Sequence, residues 1–253
     1  PIIRSFKMEC LNCGNTFEGK YCNMCGQKAV THRLTISEYF HKFIHTFTHV
    51  DKGIFYLAIE LFKRPGEVAR EYISGKRAKY FSPLQYLILM VAIGTFITLN
   101  YNILGPKLDP ALLQNADPQI RYRAGMNIFF YKYFNVVLFF SVPVVALFSW
   151  LFFKSTGYNF AENLVFITFI SAQRTLVFVL LSPVFYFTRD VWYAGVGIYY
   201  LFWVVYFVIA YRQFYREGWV KVIFKFVGIF LISIAVTQSA AFLIVKFIIL
   251  KDY

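Results

Sequence analysis

Residues 164–187 read LVFITFISAQRTLVFVLLSPVFYF, an apolar run long enough to cross a bilayer as a single helix. Comparable runs occur at Leu84–Leu104, Phe129–Phe153, Val191–Tyr211 and Val222–Leu250. Each run reaches the roughly 20 residues that a helix needs to cross the hydrocarbon core. The sequence therefore predicts an all-α integral membrane protein with a bundle of five transmembrane helices, occupying residues 83–253.

The composition of the whole chain supports the same class. Its 253 residues are 58% hydrophobic and 15% charged, whereas soluble domains are usually about 25% charged. The formal net charge of +13 is also found in nucleic-acid-binding proteins. Here, however, Lys and Arg gather at the edges of the apolar runs, where they meet anionic headgroups. We therefore expect the lipid bilayer as a partner and expect no nucleic acid.

Residues 1–30 contain two Cys-x-x-Cys-Gly knuckles. The ligands that they offer are Cys10, Cys13, Cys22 and Cys25. This number and spacing predict a small zinc-ribbon-like unit with one Zn²⁺ held tetrahedrally. Because four thiolates leave no open position for water, the site should be structural rather than catalytic. Iron and a pair of disulfides are the alternatives. We expect residues 15–21, between the knuckles, to form a short β-hairpin.

Residues 31–82 carry the pattern of amphipathic helices at the membrane interface. Apolar residues recur at three- and four-residue steps: Phe40, Phe43, Phe47, Val50, Ile54, Leu57 and Leu61. A histidine row, consisting of His41, His45 and His49 with Asp51 just beyond it, lies along one side of this predicted helix. Imidazoles at this spacing can share one Zn²⁺, so a second, open metal site is one interpretation. Binding of headgroup phosphate, or of nothing, is the other.

Basic residues before the first span set the predicted orientation. They are Lys63, Arg64, Arg70, Lys76, Arg77 and Lys79. Because positive residues stay on the cytoplasmic side, we expect a cytoplasmic N-terminus and an external C-terminus, which places the cysteines in a reducing compartment. A basic cluster formed by Arg70, Tyr72, Lys76 and Arg77 should either contact lipid headgroups or form a specific phosphate pocket.

Two strings within this region resemble a known family. They are HVDKGIF at 49–55 and RPGEVAREYISGKR at 64–77, followed by Tyr80 and Pro83. Together they are similar to domain-of-unknown-function family 3667, a bacterial membrane family, and the resemblance covers roughly Cys10 to Leu89. It implies a paired cysteine knuckle followed by several spanning helices in the inner (cytoplasmic) membrane. It implies no particular activity.

A single arginine interrupts the run quoted above. Arg174, preceded by Gln173, lies near its middle, where an arginine costs roughly 2.5–3.5 kcal/mol on insertion scales. The sequence places no Asp or Glu at a similar depth in another span, so the candidate partners are Gln238, Asn135, tyrosine hydroxyls and backbone carbonyls. One interpretation is a lipid- or anion-binding cavity lined by Gln173 and Arg174. The other is a helix kinked near Pro183 in which carbonyls satisfy Arg174.

Three functions remain open from the sequence. The first is a non-enzymatic inner-membrane scaffold that recruits a protein partner through its N-terminal region. The second is a lipid- or anion-binding or transporting protein that uses Arg174. The third is an interfacial metalloenzyme that uses the histidine row and Asp51. The chain has no phosphate-binding Gly-x-x-x-x-Gly-Lys loop, no Gly-x-Ser-x-Gly elbow and no His-Glu-x-x-His pair, so its motifs favour a protein that is not an enzyme.

Overall fold

The computed structural model describes residues 7–29, 33–37, 39, 53–101, 117–187 and 192–249, and these are mostly helical. Two short strands, β1 (Met8–Glu9) and β2 (Thr16–Phe17), come first. The helices that follow are α1 (Gly53–Lys63), α2 (Pro65–Ile73), α3 (Pro83–Tyr101), α4 (Pro118–Lys132), α5 (Phe134–Phe152), α6 (Phe160–Phe187), α7 (Trp192–Tyr215) and α8 (Trp219–Ile249).

Helix α6 contains the apolar run and lies at the centre of the bundle. Helices α1, α2, α3, α5 and α7 all pack against it. Residues on every side of α6 are buried, among them Phe166, Ile167, Phe169 and Ile170, each with no exposed surface. A helix that is apolar on all sides is expected in such a position.

Helix α6 begins at Phe160, before the predicted start at Leu164, because a capping box sets its first turn. The Asn159 side-chain oxygen accepts the Glu162 N–H at 2.8 Å, and Glu162 Oε2 accepts the Asn159 N–H at 2.7 Å. These two bonds satisfy backbone donors that the helix itself leaves unpaired.

Four of the described helical segments are long and apolar enough to cross a membrane. They are α3, α5, α6 and residues Trp219–Ala240 of α8. A mostly helical protein with several candidate membrane-spanning helices is therefore confirmed, but the count of five spans is not. Helix α7 covers the predicted run Val191–Tyr211 from Trp192 onward and is not one of the four.

The second predicted span, Phe129–Phe153, is wrong at its N-terminal boundary. Its first residues belong to α4, and the apolar helix α5 starts at Phe134. Tyr133 separates the two helices with a non-helical backbone, φ −102° and ψ 17°. The break falls just after Lys132, where the sequence changes from polar to apolar.

Helices α1 and α2 pack onto the side of the bundle. On α1, Leu57 and Leu61 of the predicted apolar stripe are completely buried. The backbone of α1 is also bonded to the spans, since the Gln173 side chain donates to the Ala58 carbonyl at 3.1 Å and the Tyr206 hydroxyl donates to the Leu61 carbonyl at 3.0 Å. The earlier part of the stripe, from Phe40 to Val50, lies outside the described residues.

The knuckle module (residues 7–29) contains the short sheet, but the hairpin predicted at 15–21 is wrong. Strand β2 pairs antiparallel with β1, so that Met8 lies opposite Phe17, and the turn of this hairpin is the first knuckle itself. An isolated bridge between Tyr21 and Lys28 encloses the second knuckle in the same way. Each Cys-x-x-Cys turn, rather than the Gly19 turn between them, brings extended segments together.

Candidate functional site

The two knuckles share one backbone geometry. The Cys10 N–H donates to the Asn15 carbonyl at 2.9 Å, and the Gly14 N–H donates to the Cys10 carbonyl at 2.8 Å. The second knuckle repeats both bonds, at 2.8 and 2.9 Å, with Cys22, Gln27 and Gly26. Both glycines have positive φ angles, 73° and 71°, which glycine adopts without a steric cost. The chain therefore turns tightly enough to aim both cysteines of each knuckle inward.

The four thiols converge on one point. All four Sγ atoms lie within 4.8 Å of one another, with Cys10 and Cys25 3.5 Å apart and Cys13 and Cys22 3.7 Å apart. Tetrahedral zinc, with Zn–S bonds of about 2.3 Å, places its sulfurs about 3.8 Å apart. The cysteines are free, and their separations exceed the roughly 2.05 Å of a disulfide bond. The cluster therefore fits a metal such as zinc.

Two thiols of the cluster, Cys22 and Cys25, have a lowered pKa. The Asn15 backbone would lower the pKa of the Cys13 thiol, but burial and the neighbouring thiols raise it. Burial alone would raise the pKa of the Cys22 thiol, but the backbone N–H groups of Cys25 and Met24 lower it to about 6. The thiolate is the form of cysteine that binds metals. The fold of the second knuckle therefore favours the form of Cys22 that can bind a metal.

The N-terminal part of the chain is anchored to the bundle at two places. Gln27, which follows the second knuckle, is buried, and its Oε1 accepts the Ala78 N–H at 2.8 Å. Arg33 donates its Nε–H to Glu162 at 2.9 Å, next to the start of α6. The candidate metal centre is therefore held against the loop between α2 and α3.

A network of hydrogen bonds fixes α1, α2 and that same loop together. Arg64 donates to Glu60 at 2.7 Å and to Glu71 at 2.6 Å, and the Tyr80 hydroxyl donates to Glu71 at 2.6 Å. Burial would raise the pKa of Glu71, but the bonds from Tyr80 and Arg64 lower it to about 2. The Glu71 carboxylate raises the pKa of Arg64 further above its ordinary value. These residues are paired with one another, which identifies a structural role for them.

The basic cluster predicted to bind headgroups lies near this network and far along the chain from Arg174. Arg70, Lys76 and Arg77 are all half-buried. Arg70 reaches α7, where its Nη1 lies 3.5 Å from the Gln213 carbonyl. Binding of headgroups by this cluster stays a prediction.

Arg174 lines a half-open cavity of about 1210 Å³ whose walls come from α4, α5, α6, α7 and α8. Most of the lining is apolar, and the polar lining includes Arg123, Asn127, Ser171, Arg174, Thr237 and Gln238. No Asp or Glu lines the cavity within the described part of the chain. The cavity therefore presents two arginine side chains that its own walls do not neutralise.

Several polar atoms at this cavity have no hydrogen-bond partner. They are Arg174 Nε, the Tyr199 hydroxyl, Trp203 Nε1 and Ser233 Oγ. Tyr199, Trp203 and Ser233 are each at least 95% buried, and the Arg174 guanidinium lies 5.7 Å from the centre of the Trp203 ring. Since buried polar groups in native proteins are nearly always paired, four unpaired atoms at one cavity point to a ligand.

Gln173, predicted to act with Arg174, is directed away from the cavity. It is completely buried, its Nε2 donates to the Ala58 carbonyl, and its Oε1 accepts the Tyr86 hydroxyl at 2.8 Å. Both ends of its amide are therefore used in joining α6 to α1 and α3. These bonds hold the neighbouring Arg174 toward the opposite side, where α7 and α8 lie.

Sequence reasoning locates Arg174 but not its neighbours in the cavity. Tyr199 and Trp203 stand one helical turn apart on α7, and this spacing is a weak signal because aromatic residues fill most of that helix. His41, His45, His49 and Asp51 lie outside the described residues, so a second metal site stays a prediction.

The fold and these sites together define a helical membrane protein with a four-cysteine cluster and an arginine-containing cavity. Residues 51–94 match the family described as "Protein of unknown function (DUF3667)", which confirms the resemblance to that family. The matched segment contains the Arg64 network and the start of α3. No curated protein and no solved structure matches the chain.

Proposed function

We propose that the helical bundle binds an anionic amphiphile in the cavity, with the Arg174 guanidinium as its cationic contact. The observation that carries this proposal is the set of unpaired polar atoms from α6, α7 and α8 at a cavity whose described lining contains no acid. A buried donor without an acceptor costs about 1–3 kcal/mol. A ligand oxygen that accepts from these donors removes that cost.

The position and the walls of the cavity favour an amphiphile over a water-soluble anion. Three of the surrounding helices, α5, α6 and α8, contain candidate membrane spans. The α5 side offers Val137 and Leu138, and the α8 side offers Phe226 and Ile229. A molecule with an apolar chain gains from burial against such surfaces, while its charged group meets Arg174.

Replacement of Arg174 by glutamine is expected to lower the amount of copurified amphiphile at least tenfold. Glutamine keeps a hydrogen-bond donor but removes the charge, and a hydrogen bond to a charged group contributes about 1.5–3 kcal/mol, which corresponds to about tenfold or more in affinity. Native mass spectrometry in a neutral detergent, followed by lipid extraction, measures the molar ratio of amphiphile to protein.

Arg212→Gln is the matched control for this experiment. The Arg212 guanidinium also lies over a tryptophan, 4.3 Å from the centre of the Trp219 ring, but Arg212 is not among the residues that line the cavity. This variant should retain the wild-type amount of amphiphile. Equal amounts in wild type and Arg174→Gln would contradict the proposal.

The proposal includes five membrane crossings with the knuckle module on the cytoplasmic side of a bacterial inner membrane. Support for the fifth crossing comes from α7, which runs antiparallel to α6 along most of its length. The Tyr215 hydroxyl donates to Asn163 near the start of α6, and the Tyr199 ring lies 5.9 Å from that of Phe185 near its end. A helix that accompanies a membrane span over this length crosses the bilayer with it.

Recruitment of a protein partner by the knuckle module is the second candidate function. The observation that favours it is a group of exposed apolar side chains on this small unit, Leu11, Tyr21 and Met24, of which Met24 is 74% exposed. Three exposed apolar side chains on a unit that spans only residues 7–29 favour contact with a partner surface if they are adjacent. A Leu11→Ser/Met24→Ser double variant of the full chain should lose copurified protein partners but keep its amphiphile. Unchanged copurification would contradict this function alone.

A further inference from the structure

We infer that the charged group of the bound amphiphile is a phosphoryl group, and not a carboxylate. This inference rests on the proposed function, because it concerns the same cavity. It names the chemical class of the ligand: a phosphate ester with an apolar chain.

The unpaired groups at the cavity are rich in donors. Arg174 carries only N–H donors, and the Trp203 indole N–H also donates without accepting. The hydroxyls of Tyr199 and Ser233 can donate as well. None of these atoms makes a hydrogen bond of regular geometry in the protein, although the Trp203 indole and the Tyr199 hydroxyl interact with each other. A complementary ligand must therefore supply several acceptor oxygens.

The placement of these donors on three different helices separates the two kinds of anion. Arg174 stands on α6, Tyr199 and Trp203 stand on α7, and Ser233 stands on α8, so the donors reach the cavity from three helices. A carboxylate has two oxygens in one plane, whereas a phosphate monoester has three terminal oxygens arranged around a tetrahedral centre. The planar fork of arginine suits both anions, but donors on three sides suit the tetrahedral one.

The charge at the cavity also requires a strong anion. The Arg174 guanidinium lies beside the Trp203 ring, and no carboxylate pairs with this arginine among the described residues. An intramembrane arginine without an acid partner is expensive. A phosphoryl group, with up to two negative charges and several acceptors, offsets that cost.

The test compares amphiphiles that share one chain and differ only in their polar group. Delipidated full-length protein in a neutral detergent is titrated at neutral pH with dodecyl phosphate, dodecanoate, dodecanol and inorganic phosphate, and binding is measured by native mass spectrometry. We expect dodecyl phosphate to bind at least tenfold more tightly than each of the other probes, because it makes additional hydrogen bonds with charge assistance.

Substitution of single donors shows which of them cause the preference for dodecyl phosphate over dodecanoate. Trp203→Phe removes the indole N–H and Ser233→Ala removes a hydroxyl, and each should reduce the preference for dodecyl phosphate over dodecanoate severalfold. Ser141→Ala is the control, since Ser141 also lines the cavity but its hydroxyl already donates to the Leu138 carbonyl at 2.7 Å. This control should leave the preference unchanged.

Each failure has a separate meaning. Equal binding of dodecanoate and dodecyl phosphate would overturn the phosphoryl inference and leave the proposed function intact. Equal binding of inorganic phosphate and dodecyl phosphate would overturn the apolar-chain part. Failure of every probe to bind, in protein that retains its thermal unfolding transition, would overturn both the inference and the proposed function.

Discussion

Purified protein is expected to contain one zinc ion per chain, and Cys22→Ser is expected to lose that ion together with the fold of the knuckle module. The module has two strands of two residues each and a small core of Cys10, Phe17 and Cys22. Such a unit cannot bury enough apolar surface to fold by itself. Apparent binding free energies of structural zinc sites are about 10–16 kcal/mol, so the metal supplies the missing stability.

Elemental analysis of the full-length protein measures the metal, and limited trypsin digestion reports the fold of the module. Cleavage after Lys20 and Lys28 should become rapid in Cys22→Ser and remain slow in the wild type. Met24→Ser is the matched control, because Met24 lies between two ligands but is exposed, and it should keep both metal and protection.

Other results of the metal analysis distinguish the remaining interpretations. Iron in place of zinc would contradict the assignment of the metal but not the tetrahedral site. Intact mass that shows oxidised thiols and no bound metal would contradict the site itself. Two zinc ions per chain would favour a second site at the row His41, His45, His49 and Asp51, and one would argue against it.

The metal site illustrates what could be predicted from the sequence. Its ligands come from two turns that are each four residues long, so the geometry depends on local backbone rules and the required spacing is visible in the sequence. The hairpin was predicted between the two knuckles, but β1 and β2 pair across the first knuckle. The sequence does not show in advance that the Cys-x-x-Cys turn, and not the turn after it, brings the two strands together. The capping box of Asn159 and Glu162 was visible in principle, since its spacing is also local.

The cavity illustrates what could not be predicted. A lone Arg174 in an apolar run signals a functional site from its insertion cost alone. Tyr199, Trp203 and Ser233 give no such signal, because these residue types are ordinary in spans and become significant only when their polar atoms lack partners. Pairing depends on how α6, α7 and α8 pack together, and contacts between helices so distant in the chain are not encoded in any local pattern.

The Arg64-Pro65-Gly66 string shows an intermediate case. The string is specific enough to identify the family. The physical reason for its residues becomes visible only when the helices are packed together. Arg64 donates hydrogen bonds to Glu60, Glu71 and Tyr80, and Gly66 lies where α2 meets α7. The string therefore serves the assembly of helices, and the basic charges that it contains are not all free for lipid.

Gly66→Ala is expected to destabilise the protein by at least about 1–3 kcal/mol, the usual cost of forcing an extra group into a close-packed contact. A Cβ atom at this position would lie 2.5 Å from the Phe214 backbone nitrogen and 2.6 Å from Gln213 Cβ. Backbone atoms on a neighbouring helix cannot rotate away as a side chain can, so α2 and α7 must separate. The Gly66 N–H would then also lose its bond to the Gln213 side chain, now 3.0 Å long.

Gly197→Ala provides the matched control for that experiment, because it places the same methyl group on α7 itself. An added Cβ at Gly197 meets no atom within 4 Å, and alanine is favoured over glycine in a helix by about 0.8–1 kcal/mol. The thermal unfolding midpoint in detergent should therefore fall in Gly66→Ala and stay level or rise in Gly197→Ala. Equal midpoints would mean that α2 and α7 are not in close contact. Because α7 also presents Tyr199 and Trp203 to the cavity, a separation of α2 from α7 should weaken amphiphile binding in the same variant.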